Sequence, residues 1–151
     1  MTDDPLALDR QLCFALAATS RSVIALYRPV LEPLGLTHPQ YLVMLSLWER
    51  SPRRVRDIAD ALLLDSATLS PLLKRLEAAG LLERGRSAED ERALDVRLTP
   101  EGTALRRKAE EVPARIVERL GVPLEELAEL RDRLTRLLAA AHHSAEPLRL
   151  K

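Results

Sequence analysis

The hydrophobic period of this 151-residue chain switches from helical to extended at one place only, and that switch limits the folds open to it. Val55, Ile58, Ala59 and Leu62 form one short apolar stripe, and Leu69, Leu72, Leu73 and Leu76 form a second. Spacings of three and four put each set on one face of a helix. Leu94, Val96 and Leu98 then alternate with Ala93, Asp95 and Arg97, the pattern of a half-buried strand. Leu81 to Arg86 can pair with that strand, leaving Ser87 to Arg92 as a polar tip. This is the one convincing hairpin in the chain, and two short helices lead directly into it.

Longer helical patterns flank this unit. Residues 5–34 read as one long helix with Leu12, Leu16, Val23, Ile24, Tyr27 and Leu31 at helical spacings, closed by Gly35. Pro29 is expected to kink it, because an interior proline loses a backbone hydrogen bond. Thr37-His38-Pro39-Gln40 predicts the capped start of a second helix, which runs through Trp48 until Ser51-Pro52 breaks it. The helix with the second leucine stripe begins near Asp65 or Ser66 and closes at Gly80, with Pro71 predicting an irregular or late first turn. Thr99-Pro100-Glu101 caps a further helix to about Leu120, and Gly121-Val122-Pro123 separates it from the last. There Leu127, Leu130, Leu134, Leu137 and Ala141 form a seam of the kind that buries itself against other helices.

The fold class is therefore mainly α with a small β-hairpin wing, in agreement with a composition of 46% apolar but only 3% aromatic residues. The length suits one domain. Twenty-three basic and 23 acidic residues cancel, which argues against a nonspecific polycation. Residues 53–108 hold twelve of the basic and ten of the acidic residues, an excess of the sign nucleic acid needs, though a small one. The lone cysteine cannot close an intramolecular disulfide. The acidic start lacks a signal-peptide pattern, and no apolar stretch approaches the roughly 20 residues that span a bilayer. A cytoplasmic protein with no membrane partner is expected. No cofactor or metal is expected either, since His142 and His143 have no ligand partner at suitable spacing.

Two short helices and a hairpin inside longer helices follow the order of a winged helix-turn-helix. Opposite its leucines the second short helix carries Ala67, Pro71, Lys74, Arg75 and Ala78, flanked by Ser66, Thr68 and Ser70. Small residues permit close approach to a groove, while hydroxyls and the basic pair reach bases and phosphates. Spacing alone leaves an ordinary solvated face equally open. Arg84, Arg86 and Arg92 around the hairpin tip favour the DNA reading, because arginine suits the minor groove. Asp90 is placed to orient the Arg92 guanidinium.

On these features the chain resembles the MarR family of bacterial regulators. The family's wing signature is present as Asp90-Glu91-Arg92 and Leu98-Thr99-Pro100-Glu101-Gly102. The resemblance implies a homodimer built from residues 5–34 and 101–143, with residues 53–99 as the winged DNA-binding lobe. A two-fold dimer of this kind reads an inverted-repeat operator in double-stranded DNA.

Cys13 lies on the apolar side of the first helix, where a lone cysteine is ordinarily a small buried hydrophobe. Its surroundings, Leu12-Cys13-Phe14-Ala15-Leu16, together with Tyr27-x-Pro29, Pro39-Gln40-Tyr41-Leu42 and Leu64-Asp65-Ser66-x-Thr68-Leu69, resemble the organic-hydroperoxide (OhrR) branch of that family. The resemblance implies that Cys13 senses peroxide, supported by Tyr27, His38 and Tyr41 of a partner subunit. Two positions depart from the branch: Ala17 and His38 stand where it often carries tyrosine.

The leading expectation is thus a repressor released from DNA when an organic hydroperoxide oxidises Cys13. With no second cysteine, the oxidised sulfur is expected to be trapped by a low-molecular-weight thiol. The alternative is a regulator of the same family released by a small organic ligand bound between its two lobes. A helical interaction module that has lost DNA binding is opposed by Lys74, Arg75 and Arg92. An enzyme is not expected, because a thiol peroxidase would need a substrate pocket and a resolving thiol.

Overall fold

The first α-helix begins at Leu12, later than the apolar spacing suggests. In the computed structural model, which describes residues 4–145, a 3-10 turn at Leu8–Arg10 precedes helix α1, Leu12–Leu31. The Gln11 side-chain amide donates to the carbonyls of Pro5 (2.8 Å) and Ala7 (3.0 Å), holding an extended residue at the helix start. Helix α1 continues through Pro29 to Leu31 and passes into a second 3-10 turn, Glu32–Leu34. Gly35, at φ +71°, then reverses the chain, a conformation that glycine adopts without a Cβ clash.

Helix α2, His38–Glu49, starts with the expected reciprocal cap. The Gln40 amide N–H donates to Thr37 Oγ1 (3.4 Å), and the Thr37 amide donates to Gln40 Oε1 (3.0 Å). Tyr41, Val43, Met44, Ser46 and Leu47 are all buried on it. A helix buried on most sides is a central one, and α2 packs against α1 and against the elements that follow.

Those elements are β1 (Arg53–Arg54), α3 (Val55–Leu62), α4 (Ser66–Ala78), β2 (Leu82–Arg86), β3 (Leu94–Leu98) and α5 (Pro100–Ala109). The hairpin of β2 and β3 is in register from Leu82↔Leu98 to Arg86↔Leu94. Strand β1 adds to the far side of β3 through Arg53↔Val96 and Arg54↔Asp95, so the sheet is three-stranded, in the order β1-β3-β2. The hairpin reading missed this strand because two consecutive arginines carry no alternation. Tertiary contacts hold it, including an Arg53 guanidinium bond to the Ser46 carbonyl at 3.0 Å.

Helix α4 buries its four stripe leucines, Leu69, Leu72, Leu73 and Leu76. It starts on time at Ser66, because Asp65 Oδ1 accepts the Thr68 amide at 2.7 Å. Pro71 therefore sits well inside the helix instead of delaying it. Ala67 and Pro71 are both exposed, so water can take up the carbonyl that Pro71 leaves without a donor.

The stretch read as one helix to Leu120 is two, α5 and α6 (Val112–Leu120). Pro113, in the first turn of α6, has no amide hydrogen to carry the ladder across Glu110-Glu111. The chain divides into two compact units, Met1–Pro113 and Ala114–Lys151. In the second unit Gly121, at φ +63°, precedes helix α7, Leu124–Ser144, on which no described residue is buried. Among the described residues no helix is long and apolar enough to cross a membrane.

Candidate functional site

With its leucines turned inward, α4 presents Ser66, Ala67, Thr68, Ser70, Pro71, Lys74, Arg75 and Ala78 to solvent. The face is narrow and nearly smooth for its first two turns, then basic. Asp65, at its head, is held below the usual carboxylate range mainly by the Thr68 amide, so the cap stays anionic. An exposed helix of this shape can enter a major groove with short hydroxyl side chains leading and two cations behind.

The wing is set in place by its stem. The Thr99 side chain accepts the Gly102 amide (3.0 Å) and donates to the Gly80 carbonyl (2.6 Å), joining the end of β3 to the start of α5 and the end of α4. A Cβ at Gly102 would overlap the Leu81 carbonyl oxygen and crowd Leu98. The Trp48 indole N–H donates to the Gly102 carbonyl at 2.9 Å, tying the same point to α2. The Leu-Thr-x-x-Gly run is thus the joint between wing and core.

The three wing arginines do not act alike. Arg84 is half-buried, and its guanidinium grips Glu77 of α4: Nη2 lies 3.2 Å from Oε1, and Nε 3.4 Å from Oε2. Its amide also donates to Glu77 Oε2 at 3.0 Å. These bonds, the side-chain bond first, hold the Glu77 carboxyl below its usual range. Arg84 therefore braces β2 against α4, whereas Arg86 and Arg92 are exposed. Asp90 does not orient the Arg92 guanidinium as expected. Its Oδ1 accepts the Arg92 backbone amide at 3.0 Å, which fixes the turn of the tip instead.

Two arginines that sequence reasoning passed over lie beside the wing. Arg54 and Arg56, at the β1–α3 corner, line a groove of about 710 Å³ together with Asp60, Asp65 and Ser66 on one side and Arg92 on the other. They were visible as part of the basic excess in 53–108. Nothing in the period said which face they would share.

The sensor candidates fall into two separated places. Tyr27, His38 and Tyr41 assemble within one chain: the Tyr27 ring meets His38 edge-on at 5.1 Å between centroids and Tyr41 at 6.0 Å. Burial raises the Tyr27 hydroxyl above its ordinary 10.0. Burial, then the proximity of Tyr27, does the same for Tyr41. Both phenols stay protonated at neutral pH and are hydrogen-bond donors. Burial lowers His38 from 6.5, so its ring is neutral there. Cys13 is exposed near the other end of α1. About four helical turns, roughly 21 Å, separate it from Tyr27 of its own chain. One chain alone cannot bring the sulfur to the tyrosines.

Comparison with known proteins fits this geometry. The sequence model of the MarR family matches residues 36–94. The chain is 42% identical over 139 residues to the organic hydroperoxide resistance transcriptional regulator of Bacillus subtilis, spanning 92% of this chain and 95% of that one. It is 43% identical over 143 residues to the transcriptional regulator TtmR of Methylorubrum extorquens, spanning 95% and 73%. Among solved structures, reduced AbfR bound to DNA, a protein of Staphylococcus epidermidis, superposes with a TM-score of 0.71 at 36% identity, over 89% of this chain and 94% of the other.

Proposed function

The chain belongs to the MarR family of winged-helix, DNA-binding transcriptional regulators, and from that premise we propose that it is a dimeric repressor released from its operator when an organic hydroperoxide oxidises Cys13. The observation that carries this reading is the separation of an exposed Cys13, near the start of α1, from a ready-made pair of phenol donors, Tyr27 near the end of α1 and Tyr41 on α2. A second copy of the chain can supply Tyr27 and Tyr41 to the first copy's sulfur. Leu12, Phe14, Leu16 and Ile24 on α1 and Leu124, Leu130, Leu134, Leu137 and Leu138 on α7 are exposed in the single chain, and apolar faces of that extent mark interaction surfaces. Residues 5–34 and 101–143 make the dimer, and 53–99 the lobe that reads an inverted repeat. Ser66, Thr68, Ser70, Pro71, Lys74 and Arg75 enter the major groove, and Arg86 and Arg92 follow the backbone.

The chemistry balances with one thiol. The Cys13 thiolate attacks the peroxide oxygen, an S–O bond forms and the O–O bond breaks. Sulfur loses two electrons, and the leaving alkoxide takes a proton to become an alcohol. The sulfenic acid then condenses with a low-molecular-weight thiol, forming a mixed disulfide and water. A reductant exchanges it back to the thiol. The added bulk at the dimer helices shifts the spacing of the two recognition helices.

One observation favours a second reading, release by a small organic ligand: a groove of about 620 Å³ lined by Ile24, Arg28, Glu32, Thr37 and His38. The two separate on Cys13→Ser. Under a stoichiometric organic hydroperoxide plus a small thiol, the wild type is expected to leave operator DNA and gain one thiol adduct per chain by intact mass, while Cys13→Ser stays bound. Release of the variant by peroxide would exclude the cysteine mechanism.

A further inference from the structure

A winged helix-turn-helix that places its recognition helix in a major groove and its wing at the neighbouring minor groove must straddle the phosphate strand between them. In this chain the surface between those two elements is concave. It is the groove of about 710 Å³ bounded by the start of α4, the β1–α3 corner and the base of the wing. Two of its arginines, Arg54 and Arg56, come from a part of the chain that belongs to neither the recognition helix nor the wing.

We propose that Arg54 and Arg56, together with Arg92, form a three-arginine seat for the phosphate strand that crosses between recognition helix and wing. The inference rests on the DNA-binding reading above and adds to it a third point of contact. Arg54 is fixed by its backbone: its residue pairs with Asp95 in the sheet, so its side chain has a set origin. Arg56 follows in the first turn of α3 and is exposed. Its neighbour Arg53 is spent on the core, its guanidinium bonded to the Ser46 carbonyl.

The acidic residues of the groove do not cancel the seat. Asp60 and Asp65 bring two negative charges to the groove against three arginines, and that of Asp65 is already turned to the Thr68 amide at the head of α4. Planar guanidinium groups suit phosphate because they donate paired hydrogen bonds, which lysine cannot. Phosphate contacts carry no base information, so these residues contribute affinity and register to every sequence alike.

The test is the salt dependence of binding to a mixed-sequence 30-base-pair duplex, measured by fluorescence anisotropy at several potassium chloride concentrations. Each lost phosphate contact makes the slope of log K against log salt shallower by roughly 0.9. The Arg54→Ala/Arg56→Ala protein is expected to bind at least tenfold more weakly at low salt, with a slope shallower by about 2 per lobe engaged. Arg54→Lys/Arg56→Lys should restore most of the slope but not all the affinity. Arg106→Ala, which removes an exposed arginine on α5 paired with Glu110, should match the wild type. If the double alanine protein keeps the wild-type slope while Lys74→Ala and Arg92→Ala lose theirs, the seat does not exist and the DNA reading stands. If the wild type itself binds no duplex, the DNA reading fails first. Circular dichroism of each variant separates loss of contact from loss of fold.

Discussion

Two leucine stripes in this molecule look alike in sequence and end in opposite environments. On α4, Leu69, Leu72, Leu73 and Leu76 are buried by their own chain, Leu69 to 0% exposure. On α7, Leu130, Leu134 and Leu137 keep 48%, 41% and 37% of their surface. Spacing reports that a helix has one apolar face, but not which molecule covers it. The α3-to-β3 region buries its own core, with Ile58, Leu69, Leu73, Leu76, Leu82 and Val96 at 1% exposure or less. The described residues of α1 and α7 keep large apolar side chains exposed, and this is why we propose that the dimer is built on them.

The contrast can be broken by mutation. Leu69→Ala removes buried methyl groups from a core with no room to spare and should destabilise the fold by about 2–5 kcal/mol, independent of protein concentration. Leu134→Glu should instead weaken association. Sedimentation velocity should show a slower species at micromolar concentration, and its unfolding midpoint should rise with concentration in the way expected of a linked dimer. If both variants lost stability equally at every concentration, the seam on α7 would be covered within the chain and the comparison would collapse.

A smaller effect sharpens the buried side of the comparison. Gly102→Ala adds a methyl group that meets the Leu81 backbone carbonyl, which cannot rotate away as a side chain would. Overpacking of this kind should cost about 1–3 kcal/mol, more than the gain of roughly 1 kcal/mol expected for alanine over glycine in a helix. Denaturant titration should show the loss at every protein concentration. A stabilised variant would mean that the joint between wing and α5 is looser than its contacts indicate.

What could be read from sequence follows the same division. The stripe of α4 and the caps at Thr37-Gln40 and Thr99 were legible because each is a local pattern with a local physical cause. Strand β1 was not, since Arg53 and Arg54 become a strand only by pairing with Val96 and Asp95, more than forty residues away. The same holds for Arg84, which reads from sequence as a DNA contact at the hairpin tip but whose partner, Glu77, lies on another element. The break between α5 and α6 was not read, although Pro113 marks it. The resemblance, not any local pattern, singled out Cys13, Tyr27, His38 and Tyr41 as candidates. The separation of Cys13 and Tyr27 was legible once both stood on one helix, since it follows from the helical rise alone.

The smallest expected effect lies where the buried and the unclosed halves of α1 meet. His38 packs edge-on against Tyr27 and is lowered from 6.5 by burial. In the unfolded chain the ring binds a proton near pH 6.5, whereas in the folded chain it does so only at lower pH. The unfolded state therefore holds more protons between those two values, and stability must fall as the pH falls across that window. Above pH 6.5 the contribution is fully present, and below the folded-state value there is nothing further to lose. Asp65 and Glu77 act in the same direction, but from ordinary values of 3.8 and 4.5, so their losses come at more acid pH. Denaturation midpoints measured from pH 7.5 to 5.5 thus isolate the histidine. The wild type should lose a modest part of its stability over that range, and His38→Tyr should lose less, because a phenol carries no charge there. An equal loss in both proteins would show that the ring is solvated in the folded chain, and that the tyrosine cluster is as open as the apolar end of α1.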